Sequence, residues 1–211
     1  LGMINDVPMT LIAKPQIPAN NYKELLGWVQ ANKGRINLAN AGLASASHLC
    51  GMLWQASVQM DMTTVPYKGT APAMTDLIGG QVDLMCDQTT NTTSQIEAKK
   101  VKVYGVTTAK RLNTPALKDV PTLDEAGQKG FQVTIWHGLY GPKNLAPEVQ
   151  TKINNALKAA LKDPEFVKKQ EGLGAVVIAD KRAEQADHKK FVMDEIARWT
   201  PIIKAAGVYA D

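Results

Sequence analysis

The chain has 211 residues, of which 45% are hydrophobic and 21% charged, a composition typical of a folded protein and unlike that of a disordered one. It contains no apolar run of about eighteen residues, so the sequence predicts no membrane insertion. The net charge of +4 comes from scattered lysines and aromatic residues make up only 6%, so we predict no nucleic-acid partner.

Short β-type runs alternate with helical periods along the chain, which is typical of an α/β fold with a largely parallel sheet. The predicted strands are Val7–Lys14, Ile36–Asn40, Thr63–Tyr67, Val82–Cys86, Val101–Thr107, Phe131–Tyr140 and Ala175–Ile178. Helices are predicted after Asn21, from Ser45 to Ser57, from Gly69 to Gly79, from Thr122 to Gly127, after Pro147, after Asp163 and at the C-terminus.

Two of the predicted helices carry clear apolar stripes at helical spacing. The helix after Pro147 repeats an apolar residue every four positions, and the C-terminal helix has four large apolar residues on one face. The two stripes are Val149, Ile153, Leu157 and Leu161, and Val192, Ile196, Trp199 and Ile203. Each pattern predicts one apolar face on its helix.

The chain has two cysteines, Cys50 and Cys86, too few for a disulfide scaffold or a cysteine-rich zinc site. Each lies in an apolar context, which favours two free buried thiols. A disulfide between them is the alternative in an oxidising compartment.

The segment Asn40–His48, with the sequence NAGLASASH, lies between a predicted strand and a predicted helix. In α/β sheets ligands bind where strands end, and the following helix directs free N–H groups and its positive dipole end there. Ser45 and Ser47 add hydroxyls and His48 adds a ring donor, so the segment predicts an anion site, most simply for a carboxylate. The alternative is that Ser45 only caps the helix.

Three further junctions could line the same crevice. They are the segment Pro66–Thr70 with Tyr67, the position of Asp87 after a buried strand, and Trp136 in the long extended run. Each has a structural alternative: Tyr67 as a core aromatic with a wet hydroxyl, Asp87 as a helix cap or an acceptor for loop N–H groups, and Trp136 as packing only.

Motifs of catalysis are missing from the sequence. There is no GxSxG elbow, P-loop or GxGxxG, and the three histidines lack metal-ligand spacing. Ser47 and His48 are neighbours on a helix and project about 100° apart, so they are poorly placed to form a triad with Asp87. We therefore predict no catalytic residue, metal or cofactor; the alternative is a serine-dependent hydrolase or acyl-transfer enzyme using Ser45 or Ser47.

Six segments together resemble the periplasmic solute receptors of tripartite tricarboxylate transporters, the TctC or Bug family. They are AGLASASHL, VPYKGTAPAMTDLIGGQVDLMCD, VTTAKR, ALKDVPTLDEAG, WHGLYGPKN and ARWTPIIKAAG. They occur in the family's order and with natural spacing along essentially the entire chain, which makes the resemblance far more specific than any one motif.

The resemblance implies a type II periplasmic-binding-protein fold, in which two α/β lobes close around a mono- or dicarboxylate and perform no chemistry. It implies a bacterial periplasmic location, membrane transporter subunits as partners, and a signal peptide that is not part of this sequence. Residues 14–134 would form lobe 2, and residues 1–13 and 135–211 the C-terminal part of lobe 1 with the crossing strands. The implied ligand contacts are Ala41, Gly42, Ser45, Ser47, His48, Tyr67, Gly69, Asp87 and Trp136.

The chain departs from the family pattern at several positions. Ala44 replaces a loop glycine, Asn40 replaces a common serine, and Cys86 replaces the usual aromatic residue before the aspartate. The family's N-terminal segment, about a further third of the length, has no counterpart here. Since that segment supplies part of the cleft, we expect this chain alone to bind its ligand only at millimolar concentrations or above.

Overall fold

A computed structural model describes residues 1–206; residues 207–211, which the sequence analysis assigns to lobe 1, lie outside the described residues. The strands are β1 (Gly2–Ala13), β2 (Asn37–Asn40), β3 (Thr63–Pro66), β4 (Leu84–Gln88), β5 (Lys102–Val106), β6 (Thr134–Leu139) and β7 (Val176–Val177). The helices are α1 (Tyr22–Ala31), α2 (Ala46–Val58), α3 (Thr70–Gly79), α4 (Thr89–Glu97), α5 (Pro147–Ala160), α6 (Pro164–Gly172) and α7 (Gln185–Ala206).

Local capping explains where several helices begin. Asn21 accepts from the amide of Glu24 at 2.9 Å and donates to the Glu24 carboxylate, so the predicted capping pair is formed. Asp163 accepts from the amide of Phe166 at 2.8 Å, ahead of Pro164 at the first helical position. The predicted starts of these two helices are confirmed. They could be predicted because a cap involves only residues that are close in sequence.

The helix predicted from Thr122 to Gly127 is wrong. Thr122 and Glu125 do exchange both hydrogen bonds of a capping box, each at 3.0 Å. The segment is nevertheless a series of turns, and Gly127 has a φ of +117°. The segment between Thr122 and Gly127 is too short for its hydrogen bonds to offset the cost of helix nucleation.

The sheet is mixed, so the prediction of a largely parallel sheet holds for only part of it. Its main order is β3-β2-β4-β1-β5, and β6 and β7 also pair with β1. The pairs β2–β3 and β2–β4 are parallel, whereas β1 runs antiparallel to β4, β5 and β7. The apolar run of β1 predicts burial on both faces but carries no information about strand direction.

The chain divides into two compact units. Unit 1 comprises Leu1–Val7 and, within the described chain, residues 136–206; unit 2 comprises Pro8–Ile135. Strand β1 therefore begins in unit 1 and ends in unit 2. The assignment of these units to the two receptor lobes stays a prediction.

Unit 2 contains the three clusters of buried apolar residues found in the described chain. The largest is built on β1, α1 and α2 and includes both cysteines. Cys50 and Cys86 form a disulfide there, so the preference for free thiols was wrong. The apolar context of each cysteine correctly indicated burial, but only the packing of α2 on β4 brings the two sulfurs together.

Candidate functional site

Three parallel strands end at the same edge of the sheet in unit 2. Strand β2 pairs with both β3 and β4, and Asn40 lies opposite Pro66. Continuing these registers beyond the end of β2 brings Ala41, Tyr67 and Asp87 level with one another. The structure therefore brings together three of the junctions that the sequence analysis selected.

Three helices begin at this edge, α2 after Ser45, α3 after Gly69 and α4 after Gln88. The amides of Ala46 and Ser47, the first two of α2, have no backbone hydrogen bond within residues 1–206. Helix starts combine free N–H groups with the positive end of the helix dipole, so the edge favours negative charge.

The loop Asn40–His48 is stabilised by its own hydrogen bonds. Asn40 accepts from the amide of Gly42 at 2.9 Å, and Ser45 accepts from the amide of His48 at 3.1 Å. Ser45 therefore caps α2, as the structural alternative proposed. Ala44 lies in the left-handed region with a φ of +59°, where the family pattern has glycine.

His48 is buried and its ring tautomer follows from its contacts. Its Nδ1 accepts from the amide of Ala44 at 3.0 Å, so the neutral ring carries its proton on Nε2. Burial lowers the pKa of His48, which further favours the neutral form. His48 is thus an uncharged donor.

The β3–α3 junction packs directly against this loop. The amide of Tyr67 donates to Asn40 and that of Gly69 to Ala41, both at 3.0 Å. Gly42 has a φ of +127°, and a Cβ there would lie 3.2 Å from the carbonyl oxygen of Tyr67. Only glycine allows the two loops to approach so closely without strain.

The side chain of Tyr67 is engaged within unit 2. Its hydroxyl donates to Asp76 at 2.7 Å, and burial together with this carboxylate raises the pKa of Tyr67 to about 12. The phenol therefore stays protonated, and its hydrogen bond to Asp76 fixes the β3–α3 junction to helix α3.

Asp87 is almost fully buried at 1% exposure. One carboxyl oxygen accepts from the amide of Gln88 at 2.8 Å and from the side chain of Asn91 at 3.4 Å, and Asn91 also donates to Thr70 Oγ1 at 3.3 Å. Burial raises the pKa of Asp87, and these donors oppose that rise. Asp87 and Thr70 are thus linked through Asn91, which joins the starts of α4 and α3. The sequence analysis missed Thr70 and Asn91, because no local pattern reports a contact between two helices.

Several buried oxygens near this edge have no hydrogen-bond partner among the described residues. They are Ser47 Oγ, Asp87 Oδ2 and Thr89 Oγ1. Ser47 and His48 also border, with Asn40, a crevice too narrow to hold a water molecule. Unpaired buried polar atoms are rare in native proteins and call for an explanation, which a functional site can supply.

Trp136, the remaining predicted contact, lies on β6 in unit 1. Its indole N–H donates to Glu195 at 3.3 Å, and its ring packs edge-on against Phe191 and His188. These contacts match the packing alternative, and a role for Trp136 in ligand binding stays a prediction.

The residues considered for catalysis do not form a triad. Ser45 accepts from a backbone amide, and Nδ1 of His48 accepts from the amide of Ala44. The hydroxyl of Ser47 has no hydrogen-bond partner in the described part of the chain. No group of three or more potential metal ligands occurs within residues 1–206, and no helix there is long and apolar enough to cross a membrane.

The mixed α/β fold is that of periplasmic binding proteins, as the structural comparisons show. The chain belongs to the tripartite tricarboxylate transporter family receptor (TctC) family, whose profile matches residues 1–208. The resemblance stated from the sequence is therefore confirmed.

Several relatives support this assignment. The chain is 42% identical over 98% of its length to the UPF0065 protein in the TAR-I ttuE-ttuC' intergenic region of Agrobacterium vitis. It is 33% identical over 93% of its length to the UPF0065 protein in the tcbD-tcbE intergenic region of Pseudomonas sp. strain P51. It spans 59% and 57% of these relatives, respectively.

Solved structures show the same fold. The periplasmic binding protein BugD superposes with a TM-score of 0.91 at 48% identity, over 100% of this chain and 69% of BugD. MatC from Rhodopseudomonas palustris, solved with malate, gives 0.88 at 33% identity over 96% of this chain and 68% of MatC. Another R. palustris protein, solved with adipate, gives 0.89 at 29% identity over 98% and 68% of the two chains.

Proposed function

We propose that this chain is the larger part of a periplasmic receptor that binds a small organic carboxylate for a tripartite tricarboxylate-type membrane transporter. The observation that carries the proposal is the edge of unit 2, where α2, α3 and α4 all begin beside parallel strands. There the amides of Ala46 and Ser47 have no hydrogen-bond partner among residues 1–206. In this proposal unit 2 is lobe 2, and the receptor performs no chemistry on its ligand.

The proposed ligand class follows from the chemistry of the edge. Backbone amides, hydroxyls and the neutral His48 ring all offer donors without a formal charge, which suits a carboxylate. Each hydrogen bond to a charged group contributes about 1.5–3 kcal/mol and each helix end about 0.3–2 kcal/mol. Association costs several kcal/mol, which is subtracted from these contributions. We expect a net binding free energy of about 4 kcal/mol, which corresponds to a dissociation constant near millimolar. The malate and adipate seen in related structures are therefore suitable first probes.

The decisive experiment removes one free amide without disturbing the helix. Ala46→Pro places proline at the first position of α2, where its ring is tolerated and no helical hydrogen bond is lost. Ser45 already has the extended backbone that a residue before proline requires, with a ψ of 161°. We expect this variant to weaken malate or adipate binding about tenfold or more, measured by NMR titration at millimolar ligand.

A matched proline variant controls for general effects. Gln185→Pro introduces the same ring at the first position of α7, after Glu184 with a ψ of 147°, in unit 1. It should leave carboxylate binding unchanged. If Ala46→Pro binds as well as the unmodified chain, the amide at the start of α2 is not a ligand contact and the proposed site is wrong.

The same chain can be tested for the enzyme alternative. A serine-reactive phosphonate should leave Ser45 and Ser47 unlabelled, because no base among the described residues accepts a hydrogen bond from either hydroxyl. Covalent labelling of either serine would favour the hydrolase instead.

A further inference from the structure

The disulfide between Cys50 and Cys86 lies close to the proposed ligand site. We call the sheet edge at which α2, α3 and α4 begin the donor edge. Cys50 follows Ala46, the first residue of α2, by about one helical turn, and Cys86 directly precedes Asp87 near the end of β4. The cross-link therefore joins the start of α2 to the end of β4, two of the elements that form the donor edge.

Apolar packing anchors the first two turns of α2 only weakly. The residues that α2 buries are Ser47, His48, Cys50, Gly51 and Trp54. Among them only Trp54, in the third turn, has a large apolar side chain. Because a helix is held on a sheet mainly by the apolar surface that it buries, these small and polar residues attach the start of α2 poorly.

Hydrogen bonds do not supply the missing attachment. Ser45 and His48 accept from backbone amides of the same loop and helix start, so these contacts fix the local shape without connecting α2 to the sheet. The buried hydroxyl of Ser47 has no hydrogen-bond partner among the described residues. An unpaired buried hydroxyl costs free energy, so it favours movement of the start of α2 toward solvent.

The other end of the cross-link is held firmly. Strand β4 lies inside the sheet, where it pairs with β1 on one side and β2 on the other. The residue after Cys86, Asp87, accepts from the amide of Gln88 and so holds the start of α4. The disulfide thus connects the weakly packed start of α2 to the strand that already positions α4.

We propose that the Cys50–Cys86 disulfide is a positioning element of the donor edge, which holds the amides of Ala46 and Ser47 in place for the ligand carboxylate. The inference rests on the proposed function for its ligand, whereas the order that it assigns to α2 is a property of the free chain. Donors that are fixed in advance lose less conformational entropy on binding, so the cross-link raises affinity without touching the ligand.

Burial of the two sulfurs makes this role permanent and not regulatory. Cys50 is 0% exposed and Cys86 is 1% exposed. A redox switch needs a sulfur that an attacking thiolate can reach, and neither sulfur meets that requirement in the folded chain. The reduced chain for the tests below is therefore prepared by unfolding in reductant and refolding in the same reductant.

The first test measures order without ligand. NMR relaxation of the amides of Ala46, Ser47 and His48 should give order parameters of about 0.85 in the oxidised chain and below about 0.6 in the reduced chain. The amides of α1 should stay rigid in both. Unchanged order parameters at the start of α2, or a reduced chain that is unfolded throughout, would overturn the proposal.

The second test measures binding. The dissociation constant for malate, from NMR titration at constant ionic strength, should be about fivefold or more higher for the reduced chain than for the oxidised chain. The Cys50→Ala and Cys86→Ala double variant should match the reduced chain without any reductant. Leu117→Ala is the matched control, because it truncates a fully buried side chain in a separate apolar cluster of unit 2. It should lower stability but leave the affinity unchanged.

The outcomes separate this inference from the proposed function. Equal affinities of the oxidised and reduced chains, or an equal loss of affinity in Leu117→Ala, would show that the disulfide contributes stability alone and would overturn the inference. Absence of malate and adipate binding by the oxidised chain would refute the proposed function instead. The relaxation measurement would then still decide whether the disulfide positions the start of α2.

Discussion

Reducing the disulfide should strongly destabilise unit 2. Cys50 and Cys86 are 36 residues apart in sequence, and both are buried in the largest apolar cluster. In the chain-entropy description, a cross-link closing a loop of this length removes about 13 cal/mol/K from the unfolded state, or about 4 kcal/mol at 25 °C. That is a large share of the roughly 5–15 kcal/mol by which a typical domain is stable.

The physical reason is that the cross-link joins α2 to β4 and so restricts the unfolded chain across a long loop. Reduction removes no heavy atom from the two side chains, so the comparison isolates the cross-link better than truncation does. We expect reductant to lower the melting temperature by roughly 10 °C, measured by calorimetry with and without the reductant. Denaturant titrations under both conditions give the free energy directly.

A Cys50→Ala and Cys86→Ala double variant is the control, since its stability should not respond to reductant. Thiol titration of the unfolded chain should find no free thiol before reduction and two afterwards. Two free thiols without reductant, or a change in stability below about 1 kcal/mol, would refute the reasoning.

Three further predictions concern backbone strain, packing and pH. Ala44→Gly should stabilise the protein by about 0.5–1 kcal/mol in urea titration, because it relieves a φ of +59°; a loss of stability would contradict this. Gly105→Ala should lower the free energy of unfolding by about 1–3 kcal/mol, because the new Cβ would lie 2.9 Å from Cγ of the fully buried Leu123. Gly27→Ala, in α1 where a Cβ meets no neighbouring atom, should instead raise the free energy of unfolding by about 0.5–1 kcal/mol. Burial lowers the folded-state pKa of His48 below its ordinary value of 6.5, so the unfolded chain binds the proton first and stability falls as the pH drops through that value. The free energy of unfolding should therefore decrease between about pH 7.5 and 5.5, and by less in His48→Gln than in the unmodified chain. Equal decreases in the two proteins would argue against burial of a neutral His48 ring.

The pH prediction for His48 bears on the proposed site as well. A neutral His48 ring with its proton on Nε2 can donate a hydrogen bond without carrying a charge. Carboxylate binding that uses this donor should therefore persist above neutral pH, where a charged imidazolium would be lost. This distinguishes the donor edge described here from a site that uses a charged imidazolium.

Local interactions explain what the sequence by itself determined. The helix starts at Asn21, Ser45 and Asp163 follow from caps made within three residues, and the position of the site loop follows from the junction between β2 and α2. These features depend on hydrogen bonds and periodicity that a short segment contains in full, so they can be read before any tertiary contact is known.

Long-range packing decided the rest. Long-range packing sets the antiparallel course of β1, the disulfide between Cys50 and Cys86, and the hydrogen bonds of Asn91 with Asp87 and Thr70. Each of these joins residues that are distant in sequence or lie on different elements. An apolar stripe indicates that a helix face is to be buried but not what buries it, which is why the pattern around Ile196 was clear while its partner was not. The direction of a strand, the pairing of two cysteines and the face that a helix buries are properties of the assembled fold. The interactions that stabilise them form only when separate segments of the chain meet.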